Sequence, residues 1–316
     1  MVVNVKQVKL ARNAKKSKMT RFELTLLLLV LPFVLFVVAF TYIPILGWSM
    51  AFVKFSPGMS IFASKFVGFA NFVKIFTFSS EFPQAMLNTL ALSFLGIATS
   101  PLAIVLAICV TELRSKKYQR IVQTVTSLPN FISWVIVYGI AFAFFSVGDG
   151  LVNKVLLDLG LIKDPTNTLG NNDIVWWFQT GLSIWKYTGW GAIIYFGAIC
   201  GIDRELYEAA QIDGAGRFQQ IMYITVPGIM PTFVILLLLS VGSLLGGASF
   251  EQIYVFHNPL VHQHIQTLDY YVYVMGIKRF DFSFSTAVGI FKTAVSMLLL
   301  FSCNALARKV SGNSII

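Results

Sequence analysis

Long apolar runs separated by short polar stretches dominate the pattern of this chain. Six segments carry such runs: 23–43, 87–110, 122–145, 177–201, 227–246 and 286–307. A helix needs about 20 apolar residues to cross roughly 30 Å of hydrocarbon. Within the runs the hydrophobicity is continuous, whereas strands of a membrane barrel would alternate. The pattern therefore predicts an all-α polytopic membrane protein with six transmembrane helices. Between the third and fourth runs, residues 150–162 place apolar side chains at helical spacing, which predicts a short helix lying in the interface. Trp176 and Trp177 follow at the mouth of the fourth run, where aromatic rings favour the headgroup level.

Composition agrees with this reading. Of the 316 residues, 56 % are hydrophobic and 12 % charged, against about 25 % charged in an average soluble domain. Too little polar surface remains to cover a water-soluble globule, and the apolar content excludes a disordered chain. The net charge of +10 could signal nucleic acid, anionic lipid or membrane topology. Its distribution decides. The two tails and the loops 111–121 and 202–226 hold 15 Lys and Arg in 67 residues, while segments 44–86, 146–176 and 247–285 hold 7 in 113. Positive flanks stay inside, so both termini are expected to be cytoplasmic, with the basic residues meeting membrane lipid and no nucleic acid. The resulting division is a basic cytoplasmic tail (1–22), a first transmembrane helix with an outer loop (23–86), a five-helix core (87–307) and a cytoplasmic tail (308–316).

Other residue types add little chemistry. Cys109, Cys200 and Cys303 each fall within a predicted span, far apart, as small hydrophobes do. His257, His262 and His264 share one outer loop without a Cys or carboxylate pattern, so no metal site is expected. No Gly-Lys dipeptide occurs, which excludes a phosphate-binding loop of the G-x-x-x-x-G-K-[ST] type.

Loop 202–226 carries the clearest message. Asp203 can cap a helix N-terminus, and Glu205 and Glu208 suit its first turns. Ala209 and Ala210 are strong helix formers with a flat surface, and Gly214 is the natural residue to end the helix. A second helix through Phe218, Ile221, Met222 and Ile224 should lead to Pro227 and the fifth span. By propensity alone this is an amphipathic loop helix without a defined partner.

The full spacing says more. Glu208-Ala209-Ala210-x-x-x-Gly214, nine residues, then Ile224-x-Val226-Pro227 resembles the EAA loop of permease subunits in binding-protein-dependent ABC importers. Val226 stands where that family usually has Leu. Leu128-Pro129-Asn130-Phe131-Ile132-Ser133-Trp134, Trp185-Lys186-Tyr187-Thr188-Gly189-Trp190, Phe250-Glu251-Gln252 and Ser283-Phe284-Ser285-Thr286-Ala287-Val288-Gly289 resemble saccharide permeases of the maltose-transporter type. Within these the likeness is to the branch handling complex oligosaccharides and polysaccharide fragments. The resemblance spans roughly residues 25–309. It implies the type I importer fold in a bacterial plasma membrane. It also implies a second related permease subunit forming a heterodimer, two ATPase subunits and an external solute-binding protein. ATP and Mg would then reside on the partner ATPase, and this chain would bind no cofactor and catalyse no reaction. Glu205, Glu208, Ala209, Ala210, Asp213 and Gly214 would form the ATPase-coupling helix.

A substrate path should show as polar and aromatic residues within spans, since these are costly in lipid. Candidates are Asn130, Trp134, Tyr138, Gln179, Trp185, Lys186, Tyr187, Trp190 and Tyr195, with Glu251 at an outer gate. Aromatic faces with hydrogen-bonding tips suit sugars. The outer loops carry 7 basic and 8 acidic residues, giving no preference for an anionic over a neutral sugar. The alternative functions are a self-sufficient secondary transporter or channel, and a membrane enzyme. The first usually shows buried coupling carboxylates or inverted repeats, the second a converging catalytic constellation. Neither pattern is present.

Overall fold

The computed structural model describes residues 20–77, 81–246 and 249–311. Most of the basic N-terminal tail, up to Lys18, lies outside them. The chain falls into two compact units, residues 1–50 and 51–316. In the first, helix α1 (Arg21–Val37) passes into a π turn (Val38–Tyr42) and a 3-10 helix (Ile43–Phe52). Its apolar stretch Leu24–Phe52 is long enough to cross a membrane. No described side chain between 21 and 50 is buried by the chain, so its Leu and Phe residues face outward, as a hydrocarbon solvent favours.

The second unit begins with a two-stranded antiparallel ribbon, β1 (Val53–Lys54) and β2 (Lys65–Phe66), pairing Val53 with Phe66 and Lys54 with Lys65. Helix α2 (Ala70–Thr77) follows. Helices α3 (Glu81–Thr99) and α4 (Pro101–Thr111) form one apolar span. The segment Arg217–Gly242 is a second, and Phe282–Ala305 a third. With Leu24–Phe52 these make four helices, among the described residues, that are long and apolar enough to cross a membrane. They match the first, second, fifth and sixth predicted spans, although the fifth stops at Gly242 and a 3-10 turn (Leu244–Gly246) replaces its end.

The third predicted span is corrected. Residues 122–145 are not one helix but parts of two, α5 (Lys116–Ser127) and α6 (Trp134–Phe145), bent by 100° across a 3-10 turn at Leu128–Phe131. Pro129 supplies no N–H to a continuing helix and its ring obstructs the turn before it. Ser133 then adopts an extended conformation and caps α6. If the bent pair is one span, the apolar count is five. The fourth predicted span does form a single 26-residue helix, α8 (Val175–Cys200). Gln179, Thr180, Ser183, Lys186 and Thr188 make it too polar to count with the others. The short interfacial helix also forms, as α7 (Leu151–Asp158). Asn153 fastens it by donating to the carbonyls of Ser146 and Thr166.

Helix α8 is locked against the bend. The Lys186 ammonium, 4 % exposed, donates to the carbonyls of Pro129 at 3.1 Å, Asn130 at 3.0 Å and Ile132. One turn on, Gly189 lies so close that a Cβ there would fall 1.9 Å from the Thr126 carbonyl oxygen. Between α4 and α8, Ala103, Ala107 and Ala192 allow close approach of the two helices. Two further apolar clusters complete the core, one around Trp134, Ile253 and Phe256, the other around Tyr271, Phe284 and Leu268. Lys292, inside the last span, is paired with Asp269 of the short helix Leu268–Tyr273.

Candidate functional site

The loop helix forms as its residues dictate. Helix α9 spans Arg204–Ile212, and the Asp203 carboxylate accepts from the Glu205 N–H at 3.0 Å. At the far end Gly214 takes φ +78°, a conformation open to glycine at little cost. The Ala215 N–H reaches back to the Ala210 carbonyl at 2.8 Å and the Gly214 N–H to Gln211 at 3.1 Å, which closes the helix. Glu205, Glu208, Ala209 and Asp213 are exposed and Ala210 half-buried; Leu206 and Ile212 expose 54 % and 87 % of their surface.

A side-chain hydrogen bond links α9 to the following span. The Tyr207 hydroxyl lies 2.9 Å from the hydroxyl of Thr225, which is buried. Thr225 ends a π turn (Ile221–Thr225) between helices α10 (Arg217–Gln220) and α11 (Val226–Gly242).

Helices α3, α4, α8 and α11 line two adjoining open cavities of about 230 and 470 Å³. Both touch Gly96, Ser183, Tyr187, Ser240 and Ser243. The smaller adds Gln179, Thr180, Ser249 and Gln252; the larger adds Thr99, Thr188 and Tyr195. Among the described lining residues no carboxylate, ammonium or guanidinium occurs. Hydroxyls and amides predominate among the polar groups, and they can both donate to and accept from a polyhydroxylated solute. Gln252, on helix α12 (Phe250–Phe256), is fully buried and donates to the carbonyl and side-chain oxygens of Gln179 at 2.9 and 2.8 Å. Ser183 donates to it in turn at 3.1 Å.

The predicted path residues separate into groups. Tyr187, Tyr195 and Gln179 reach the cavities. Trp134, 2 % exposed, sits in the core and donates to the Tyr187 hydroxyl at 3.2 Å, so it backs the wall instead of lining it. Lys186 is occupied by the bend. Asn130 contributes its carbonyl there, and Tyr138 packs on Phe256. Trp185 and Trp190 are 46 % exposed, and Trp190 meets only the ring of Phe131 among aromatic neighbours described. Glu251 is exposed on α12, beside the lining residues Ser249 and Gln252. The serines of the lining were not singled out from sequence, because a lone Ser in an apolar helix carries no spacing signal.

The three histidines do not converge. His257 Nε2 lies 2.8 Å from His262 Nδ1, and His257 stacks on Tyr270 at 4.4 Å, while His264 bonds the Asn172 carbonyl. Among the described residues no group of three metal-binding side chains occurs. Burial, then His262 and Lys278, push the His257 pKa down to about 4. The folded state thus prefers the neutral ring. Stability from this contact should be full above pH 6.5 and fall as pH drops through about 4. Hydrogen exchange of segment 253–273 between pH 7 and 4 should show that loss, and His257→Gln should remove it.

Comparison with known proteins now adds to the geometry. A family model described as "Binding-protein-dependent transport system inner membrane component" matches residues 99–312. The chain belongs to this family. As a family member it is an inner membrane component and a permease. It is 39 % identical to protein LplB of Bacillus subtilis over 90 % of this chain and 88 % of that protein. It is 37 % identical to the polygalacturonan/rhamnogalacturonan transport system permease protein YteP of the same organism, over 93 % of each. Two crystal structures match the permease fold. One is of a bacterial ABC transporter importing the acidic polysaccharide alginate, with 34 % identity, a TM-score of 0.83, and coverage of 92 % of this chain and 97 % of that one. The other is of a bacterial alginate ABC transporter in complex with an alginate pentasaccharide-bound periplasmic protein, with 33 % identity, a TM-score of 0.84, and coverage of 93 % and 98 %.

Proposed function

We infer that this permease is the translocation subunit of an ATP-driven importer that moves saccharides, oligosaccharides or polysaccharide fragments, from an external binding protein into the cytoplasm by alternating access. The observation that carries this is α9: capped at Asp203, closed at Gly214, and left with an exposed acidic and apolar surface. In the proposed assembly six spans hold both termini in the cytoplasm, which puts α9 on the side where ATP is found. A second related permease completes the pore, and two ATPase subunits hold ATP and Mg. Glu208 ion-pairs or hydrogen-bonds in a cleft of the ATPase, and Ala209 and Ala210 allow close approach. Closure of the ATPase pair then moves α9 and, through the Tyr207–Thr225 contact, the span above it. Docking energy shifts the bundle only as far as it differs between the inward-open and outward-open states.

The uncharged, hydroxyl-rich cavities support the saccharide reading, and so do the transport systems of YteP and of the alginate importers. Phe250, Glu251 and Tyr254 on the exposed face of α12 are proposed as a continuation of the path, with rings for sugar faces and a carboxylate accepting from hydroxyls. Reconstitution tests the whole. Proteoliposomes containing both permeases and the ATPases should take up oligosaccharide when given binding protein and ATP, and not without either. Uptake by this chain alone, without ATP, would establish the secondary transporter instead.

A further inference from the structure

We propose that the chain carries, apart from its two helix-lined cavities, a binding subsite for a carboxylate-bearing sugar residue, formed by Lys54, Phe55, Asn71, Lys74, Arg279 and Phe280. The proposal rests on the saccharide-importer reading and names a substrate class within it.

These residues line a concavity of about 510 Å³ between the β1–β2 ribbon, α2 and the start of the last helix. Small-molecule sites typically measure about 300–1,000 Å³. None of its lining residues is shared with the two helix-lined cavities. In sequence the outer loops are nearly balanced in charge, yet this corner gathers cations. Lys54 is exposed and makes no ion pair among the described residues. Directly across the ribbon stands Lys65, also exposed. Like charges opposite one another weaken a strand pair, and a bound anion would relieve that repulsion.

The acidic residue of the pocket is already engaged. Asp281 accepts from Lys74 at 2.9 Å through one oxygen and from the Phe284 N–H at 3.1 Å through the other. Arg279 reaches Glu81 at 3.3 Å through one nitrogen and Met275 sulfur at 3.5 Å through another. A guanidinium has five N–H donors, so several remain for a carboxylate. Asn71 spends its amide N–H groups on the carbonyls of Ala51 and Val53, which leaves its oxygen to accept from a hydroxyl.

Two rings complete the chemistry. Phe280 has φ +57°, the one non-glycine positive φ among the described residues, and is 62 % exposed. A bulky residue in that region is strained, and such strain concentrates at functional sites. Phe55 and Phe280 each lie near Phe282, with ring centroids at 5.9 and 6.3 Å from it. Ring faces for apolar C–H surfaces, the Lys54 ammonium and the unspent N–H donors of Arg279 for a carboxylate, and an amide oxygen for a hydroxyl together suit a uronic acid residue better than a neutral sugar.

The test uses the assembled complex in nanodiscs without binding protein, titrated with trigalacturonate and with its methyl ester, which removes only the charge. The acid should bind, more weakly as salt rises, and the ester about tenfold more weakly or not at all. Lys54→Glu and the milder Lys54→Gln, both at an exposed position, should weaken the acid and leave the ester unchanged. Equal binding of acid and ester, or an acid affinity indifferent to both substitutions, overturns the subsite. So does a result in which Lys54→Glu raises only the binding-protein concentration needed for half-maximal ATP hydrolysis, because the corner is then a protein dock. Failure of wild-type uptake in the reconstitution above would overturn the importer reading; normal uptake without carboxylate preference would overturn the subsite alone.

Discussion

Replacing Gly214 by Asp, or Glu208 by Lys, should abolish transport by the assembled complex while leaving the chain in the membrane at normal abundance. Gly214 holds the left-handed turn that closes α9, at φ +78° with open space around it. A side chain there costs about 1 kcal/mol in backbone strain, too little to unfold a bundle whose core lies elsewhere. Its effect is expected at the surface proposed to meet the ATPase: Asp adds a charge and a side chain beside that surface, and Lys reverses the charge of Glu208. Coupling energies of about 1–3 kcal/mol correspond to roughly 5- to 150-fold effects, so binding-protein-stimulated ATP hydrolysis should fall by about tenfold or more. Hydrolysis within about twofold of wild type in both variants would show that α9 does not couple the ATPase. Gly214→Ala should lie between, because it strains the turn without adding charge.

A second large effect is expected from Lys186→Met. Here the loss is of stability. The variant leaves the carbonyls of Pro129, Asn130 and Ile132 without the ammonium that holds them. Hydrogen bonds to charged groups contribute roughly 1.5–3 kcal/mol each, and unpaired buried groups cost more. A loss above about 3 kcal/mol should follow, read as a fall in melting temperature of several degrees. Gly189→Ala should produce a fall of similar size, since its Cβ would overlap the Thr126 carbonyl. Trp185→Ala, on the exposed side of α8, serves as the control. A Lys186→Met melting temperature within about 2 °C of wild type would mean that the bend holds itself.

What could be read in advance follows the range of the forces involved. Asp203, Gly214 and the residues between them act within a few positions of one another, so the helix, its cap and its stop were all legible. Four spans were legible because hydropathy is a property of a run. The bend at Leu128–Phe131 was not, because Val135, Ile136 and Phe142 are equally apolar on either course of the chain, and apolarity has no direction. Lys186 looked like a path residue for the same reason. Its rarity in a span was visible, but the three carbonyls that occupy it come from over fifty residues earlier. The cavity serines are the opposite case. Ser93, which also lines the smaller cavity, Ser183 and Ser240 are unremarkable singly, and only the packing of three helices brings them to one surface.

The π turn at Ile221–Thr225 has a mechanical consequence. A π turn accommodates one residue more than an α-turn, so the foot of the fifth span holds a length of slack. If that slack were taken up, the helix below it would rotate by about 100° and advance about 1.5 Å without breaking the span. Tyr207 grips Thr225, the last residue of that turn. In the proposed assembly, a push on α9 would therefore arrive at a turn of the span where a ratchet step is already stored.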